Sequence, residues 1–158
     1  MDGPASLDDA IEMLSSKNAD EVANGLLFIA DVATKNSSRG FESSISAANS
    51  VVLGPGGLRS LQETLKSWVE NHPGDENLSS AFWALGKFSG KDFVPFLKDA
   101  LAGCIDERKE GADTMYQILI ALDNLGERVL PNGGLSSFEH DKNVEIARVY
   151  LRRCADDA

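Results

Sequence analysis

The chain has 158 residues, of which 42% are hydrophobic and 25% are charged, and its 25 acidic and 15 basic residues give a net charge of −10. These values exclude a disordered chain, a collagen-like chain and a disulfide scaffold, and they fit a single domain over residues 1–158. No apolar run reaches the roughly 18 residues of a membrane helix, and the first 20 residues carry acids where a signal peptide carries bases. We therefore expect a cytoplasmic protein that does not bind membranes.

Helical periodicity begins with two capped helices. Ser6 followed by Asp9 predicts a capping box for a helix that ends near Ser15–Asn18. Asn18 predicts the N-cap of a second helix, whose first turn carries acids that oppose the helix dipole favourably. The apolar residues that recur at helical spacing are expected to be buried: Leu7, Ile11 and Leu14 in the first helix, and Val22, Leu26, Ile29 and Ala33 in the second.

Breaks rich in Gly and Pro divide the middle of the chain. A third helix is predicted from about Phe41 to Val52, followed by a break at residues 54–57 and another at 72–75. Between these breaks a helix is predicted to bury Leu58, Leu61, Leu65 and Val69. The next predicted helix ends at Ser89-Gly90 and buries Leu78, Ala81, Phe82, Leu85 and Phe88.

Three helices are predicted in the C-terminal part. Asp92 is expected to cap a helix that buries Val94, Leu97, Leu101 and Cys104. The helix from about Ala112 to Leu125 is the most apolar, and Gly126 is expected to cap its end. After a loop over residues 127–141, the last helix is expected to start near Lys142 and to bury Val144, Ala147, Leu151 and Cys154. With no strand-like alternation, the sequence predicts an all-α fold of seven to eight helices.

One internal similarity suggests a repeat. Residues 81–88 align with residues 118–125 at an offset of 37, near the period of HEAT-type helix pairs, and the alignment matches Ala84 with Ala121, Leu85 with Leu122 and Phe88 with Leu125. Ala allows neighbouring helices to approach closely, while Leu and Phe fill the gaps. Two copies leave both a HEAT-like stacked array and an irregular bundle open.

Catalytic and metal-binding motifs are absent from the sequence. The two cysteines, Cys104 and Cys154, form no CxxC pair and are expected to be buried, reduced thiols, although a disulfide stays open. The two histidines lack metal-ligand spacing, and residues 54–57 lack the GK[ST] ending of a phosphate-binding loop. Basic residues do not cluster, and the net negative charge repels nucleic acid. We therefore expect no enzyme activity, no cofactor, no metal and no nucleic-acid partner.

A second face of the predicted 112–125 helix carries a mixed ridge of aromatic, amide and acidic residues, which is typical of a binding surface. Trp83 also points away from the inward stripe of its own helix, and it aligns with Ile120. The alternative is that these aromatic residues pack against neighbouring helices. The candidate partner-binding residues are Trp83, Asp113, Tyr116, Gln117, Asp123 and Asn124.

Three segments of the C-terminal half, at residues 82–87, 115–127 and 143–151, resemble the helical immunity proteins of bacterial polymorphic toxin and contact-dependent growth inhibition systems, of the immunity protein 30 type. The resemblance covers about residues 76–154. It implies a small cytoplasmic protein that binds and neutralises one cognate toxin domain and that has no catalytic residues. An acidic inhibitor would be steered towards a basic, nuclease-like toxin. The alternative is a HEAT-like adaptor module with no toxin partner.

Overall fold

The computed structural model describes residues 3–37, 46–106, 111–130 and 139–157. Within these ranges it contains eight α helices and no strand, which confirms the predicted all-α fold. The helices are α1 (Leu7–Met13), α2 (Ala19–Asn36), α3 (Ser46–Asn49), α4 (Pro55–Asn71), α5 (Leu78–Leu85), α6 (Val94–Asp106), α7 (Ala112–Asn124) and α8 (His140–Asp156).

Two compact units make up the chain, Met1–Ser89 with α1 to α5 and Gly90–Ala158 with α6 to α8. Each unit has buried apolar residues of its own. The expectation of a single domain over residues 1–158 stays a prediction, because two compact units can still unfold in one cooperative step.

The caps of α1 and α2 are those that the sequence predicts. The Ser6 side chain accepts a hydrogen bond from the backbone N–H of Asp9 at 3.1 Å, and the Asn18 side chain accepts one from Asp20 at 3.0 Å. All four predicted core residues of α2 are buried. In α1 only Leu14 of the predicted stripe is buried, beside Ala10, while Leu7 and Ile11 are half-exposed. Ile11 instead lines an open cleft between α1 and α4, together with Trp68.

α1 and α2 approach each other closely at Gly25. A Cβ atom at this position would lie 2.6 Å from the backbone carbonyl oxygen of Ala10 and 3.1 Å from the Cβ of Met13. Because Ala10 and Gly25 are both buried, the contact belongs to the core of the first unit. The absence of a side chain at Gly25 therefore sets the distance between the two helices.

Trp68 connects α4 to the end of α1. Its indole Nε1–H donates a hydrogen bond to the carbonyl oxygen of Leu14 at 2.9 Å, and the residue is 6% exposed. The ring also stacks on His72, with ring centroids 4.5 Å apart. Since Leu14 is the C-cap of α1, Trp68 supplies a donor to a carbonyl that the helix itself leaves unsatisfied.

Residues 46–57 differ from the predicted pattern. The described part of the predicted third helix is α3 alone, which ends at Asn49, and residues 41–45 lie outside the described ranges. The following segment is held in non-helical form by Asn36, whose amide donates to the carbonyl of Val51 and accepts from the backbone N–H of Leu53. Pro55 then occupies the first turn of α4, so the predicted break is partly a helix start.

α4 and α5 follow the predicted breaks with small shifts. α4 ends at Asn71, directly before the predicted break at residues 72–75, and Leu61, Leu65 and Val69 are buried. α5 ends at Leu85 rather than near Ser89, although Phe88 remains buried in the turn that follows. The matched positions of the internal alignment share their burial, since all three residues of each copy are buried and Trp83 and Ile120 are both half-buried.

α8 starts at His140 and turns a different face to the core than the sequence predicts. Ala147 is buried as expected, but Val144, Leu151 and Cys154 are only half-buried, and the buried stripe is Asn143, Ala147 and Tyr150. The prediction was wrong because it followed apolar spacing alone, whereas the buried Tyr150 donates its hydroxyl hydrogen bond to the Glu127 carboxylate. Residues 131–138 of the predicted loop lie outside the described ranges.

α6 begins at Val94, two residues after the predicted cap at Asp92. Leu97 and Leu101 are buried as predicted. The prediction that Cys104 and Cys154 are buried is wrong. Both side chains are half-buried, near the ends of their helices. Neither forms a disulfide with a described residue.

Candidate partner-binding surface

α7 separates an apolar face from a mixed polar face. Its buried residues are Met115, Ile118, Leu119, Ala121 and Leu122, which share one side of the helix at the 3.6-residue period. Gly111 precedes the helix, and Asp113 in the first turn opposes the helix dipole favourably. The sequence placed this helix and its buried face correctly, because the apolar spacing is regular over four turns.

None of the candidate ridge residues on α7 is buried. Asp113 is exposed, while Tyr116, Gln117, Asp123 and Asn124 are half-buried. No described lysine or arginine forms an ion pair with either Asp113 or Asp123. The ridge therefore presents carboxylates, an aromatic ring and amides on the side of α7 that faces away from its apolar core.

Trp83, the sixth candidate residue, belongs to the first unit, whereas the other five belong to the second. It lies on α5 and is half-buried, while its neighbours Phe82 and Ala84 are buried. The Lys87 ammonium nitrogen lies 4.7 Å from the centre of the Trp83 ring, within the range of a cation–π contact. The structure thus places Trp83 off the core stripe of α5.

A polar cluster that the sequence analysis missed lies just beyond α7. The Glu127 carboxylate accepts a hydrogen bond from the Tyr150 hydroxyl at 2.7 Å and one from the Lys91 ammonium at 3.1 Å, and the Lys98 ammonium lies 3.7 Å from it. These partners come from α8, from the segment before α6 and from α6 itself. We call Lys91, Lys98, Glu127 and Tyr150 the Glu127 cluster.

The turn at the end of α7 fixes the position of Glu127. Gly126 has φ of +86°, the backbone N–H of Gly126 bonds to the Asp123 carbonyl, and the N–H of Glu127 bonds to that of Leu122. This pair of bonds is a Schellman motif, in which a glycine relieves the strain of a left-handed residue. The predicted cap at Gly126 is therefore confirmed. In the sequence, this cap is the feature that indicates where Glu127 lies relative to the end of α7.

Within the Glu127 cluster, the pKa values of Glu127 and Tyr150 are shifted in opposite directions. The hydrogen bond from Tyr150, together with those from Lys91 and the charge of Lys98, holds the pKa of the Glu127 carboxyl below its ordinary value, against the opposing effect of burial. Burial, with the bond to Glu127, raises the pKa of the Tyr150 phenol well above its usual range. The cluster therefore joins an ionised carboxylate to a neutral phenol and to Lys91 and Lys98, an arrangement that suits a structural contact between helices.

The described ranges hold no group of three or more His, Cys, Asp or Glu side chains that could bind a metal ion. They also contain no helix with the length and apolar character needed to cross a membrane.

The ridge on α7 lies outside the core and combines an aromatic side chain with carboxylates that form no ion pair with a described residue, a composition that is typical of protein contacts. The likeness to helical immunity proteins rests on the residues of the three segments alone. No protein-family model, curated protein or solved structure matches the chain.

Proposed function

We propose that the chain is an immunity protein, which neutralises a basic toxin domain by stoichiometric binding. The observation that carries the proposal is the α7 ridge, where Asp113 and Asp123 flank Tyr116 without described basic partners. A carboxylate with no ion pair among the described residues can pair with a lysine or arginine of a partner. An aromatic ring beside it can supply the apolar anchor that dominates many protein interfaces.

The charge of the whole chain supports the same partner. A net charge of −10 attracts a basic domain and speeds its diffusional encounter. A domain that cleaves nucleic acid needs a positive surface for phosphate, so a nuclease-like toxin is a suitable partner class. An inhibitor of this kind requires no catalytic residues, and its effect depends on covering the toxin.

The binding test uses the C-terminal domain of the protein that is encoded directly upstream of this chain. We expect the two proteins to form a 1:1 complex on size-exclusion chromatography and in titration calorimetry. Asp113→Asn and Asp123→Asn should weaken the complex, whereas Asp99→Asn should not, because Asp99 is an exposed carboxylate on α6 outside the ridge. Failure to form a complex, or equal weakening by all three variants, would contradict the proposal.

The aromatic residues are tested with two measurements on each variant. Tyr116→Ala and Trp83→Ala should each reduce affinity by about thirtyfold, which corresponds to roughly 2 kcal/mol, while the melting temperature changes little. If these side chains instead serve to fill the core, the same variants should lose about 3–5 kcal/mol of stability. Unchanged affinity in variants that still fold would remove both residues from the proposed site.

A further inference from the structure

A groove of about 310 Å³ runs along α8 in the second unit. Its apolar lining is Val129 and Leu130, which follow α7, together with Ile146 and Val149 of α8. Its charged lining is Arg128, Glu145 and Arg153. The volume is at the lower end of the range of about 300–1,000 Å³ that is usual for ligand sites, so the groove can hold a few side chains rather than a large ligand.

The apolar lining of this groove is partly open to solvent, because Val149 is exposed, Leu130 and Ile146 are half-buried, and Val129 is buried. Val149 is 52% exposed, which makes it one of three large hydrophobic side chains that are exposed in the described ranges. Ile146, Val149 and Arg153 follow one another at i, i+3 and i+7, so they form a single row on α8. At 1.5 Å of rise per residue the row is about 10 Å long, which equals about two turns of a partner helix.

The groove carries a local charge opposite to that of the chain. The exposed Arg153 guanidinium donates one hydrogen bond to the carbonyl oxygen of Arg128, and this bond holds it beside the groove. A guanidinium has five N–H donors, so others remain for a bound group. The acidic residue in the lining, Glu145, lies 3.6 Å from Arg152, and this ion pair offsets its charge.

We propose that this groove binds an acidic amphipathic helix of a partner protein, with apolar side chains against Val149 and Ile146 and carboxylates on Arg128 and Arg153. Charge complementarity carries this assignment, since Arg128 and Arg153 line the groove together with Ile146 and Val149. At 0.15 M salt the Debye length is about 8 Å, so the nearby arginines act on a bound carboxylate more strongly than distant acids do. The site goes beyond the proposed immunity function, because that function uses a basic partner.

A membrane surface is the other class that a row of apolar and basic side chains could contact. The groove favours a peptide, because it is concave and only about two helical turns long. An extended anionic membrane would also face the remaining acidic surface, which repels it. Tighter binding of the chain to anionic vesicles than to the peptide would therefore overturn the proposal.

The test uses a fluorescein-labelled, helix-forming peptide of about 14 residues, roughly 21 Å of helix, with Leu along one face and Glu on both flanks. A matched peptide carries Lys in place of each Glu. With the full chain at 0.15 M salt, where the Debye length is about 8 Å, we expect the Glu peptide to raise the fluorescence anisotropy saturably, and the Lys peptide to bind at least about fivefold more weakly. Absent binding, equal binding of both peptides, or tighter binding to vesicles with anionic lipids would each overturn the proposal.

Three variants then locate the contact. Val149→Ser should weaken binding of the Glu peptide by about tenfold, because an exposed apolar contact is lost. Arg153→Gln and Arg128→Gln should each weaken it by about two- to fivefold, with a reduced salt dependence. The control is Arg148→Gln, which removes the same charge from an exposed position of α8 outside the groove.

The control separates a site from general attraction. If Arg148→Gln weakens binding as much as Arg153→Gln does, the arginines act through the general charge of the chain and not from the groove, and the proposal fails. Melting temperatures of all four variants show whether each one is folded. If Arg153→Gln is unfolded, Arg128→Gln and Val149→Ser still decide the outcome.

Discussion

Trp68 joins two segments that are 54 positions apart in the chain through a single buried hydrogen bond. A Phe at this position keeps most of the apolar ring but removes the Nε1–H donor. The Leu14 carbonyl would then be left without that donor. A buried carbonyl without a donor costs free energy, so the loss of this one hydrogen bond should reduce the stability of the fold.

We therefore expect Trp68→Phe to reduce the free energy of unfolding by about 1–3 kcal/mol. Urea unfolding followed by far-ultraviolet circular dichroism measures the change. The matched control is Trp83→Phe, which keeps an aromatic face for Lys87 and should cost less than about 1 kcal/mol. Equal losses in the two variants would show that the hydrogen bond to Leu14 is not responsible.

Gly25 lies where α1 and α2 are in close contact, and a larger side chain there should destabilise the protein. Gly25→Ala places a Cβ 2.6 Å from the Ala10 carbonyl oxygen, so α1 and α2 must separate, and we expect a loss of about 1–3 kcal/mol. The control is Gly103→Ala in α6, where a Cβ meets nothing within 4 Å. That variant should stabilise the protein by roughly 0.5–1 kcal/mol, because alanine loses less backbone entropy on folding. Thermal unfolding of both variants tests the contrast in sign.

At the scale of elements, the Glu127 cluster ties the end of α7 to α6 and α8. Because the folded carboxyl has a pKa below its ordinary value of about 4.5, the ionised group stabilises the fold above that pH. The contribution is lost as the pH falls through the lower folded pKa. Tyr150 stays protonated throughout this acidic range, because its pKa is raised.

Glu127→Gln should therefore flatten the acid limb of the stability curve. We expect the free energy of unfolding of the variant to fall less steeply than that of the wild type between roughly pH 5 and pH 3. Urea titrations at a series of pH values measure the slope. Glu139→Gln serves as the control, since Glu139 is exposed and pairs with Lys142 at 3.4 Å. If that variant flattens the curve equally, the effect does not come from the cluster.

Local signals account for the elements that the sequence predicted well. Asn18 and its following acids predict the start of α2, and regular apolar spacing predicts its buried face. The same reasoning placed α7 and its cap at Gly126. Such features depend on neighbours within a few residues, so one sequence is enough to find them.

Long-range contacts explain the failures. The buried face of α8 depends on Glu127, which accepts the Tyr150 hydrogen bond from 23 positions away, and apolar spacing alone cannot indicate such a partner. Asn36 likewise holds residues 51–53 in non-helical form from 15 and 17 positions away. For the candidate site, the sequence correctly predicted that the ridge residues of α7 lie outside the buried face of the helix. It indicated neither the groove along α8 nor the Glu127 cluster.

The net charge of −10 of the entire chain should affect the rate constants for association with and dissociation from a toxin domain. If acidic surface meets a basic toxin domain, the association rate constant should fall as salt rises, while the dissociation rate constant changes less. Stopped-flow mixing across a salt series measures both constants. An association rate that stays constant with salt would indicate an apolar interface in place of the charged one.

The division of the chain into two units has a spectroscopic consequence. Both tryptophans, Trp68 and Trp83, belong to the first unit, and both tyrosines, Tyr116 and Tyr150, belong to the second. Selective excitation of indole fluorescence therefore follows the unit of residues 1–89, whereas the tyrosine bands of the second-derivative absorbance spectrum, separated there from those of tryptophan, follow the unit of residues 90–158. Each unit thus carries its own natural chromophore, and the unlabelled wild-type protein reports in one denaturant titration whether the two units lose their structure together or in sequence.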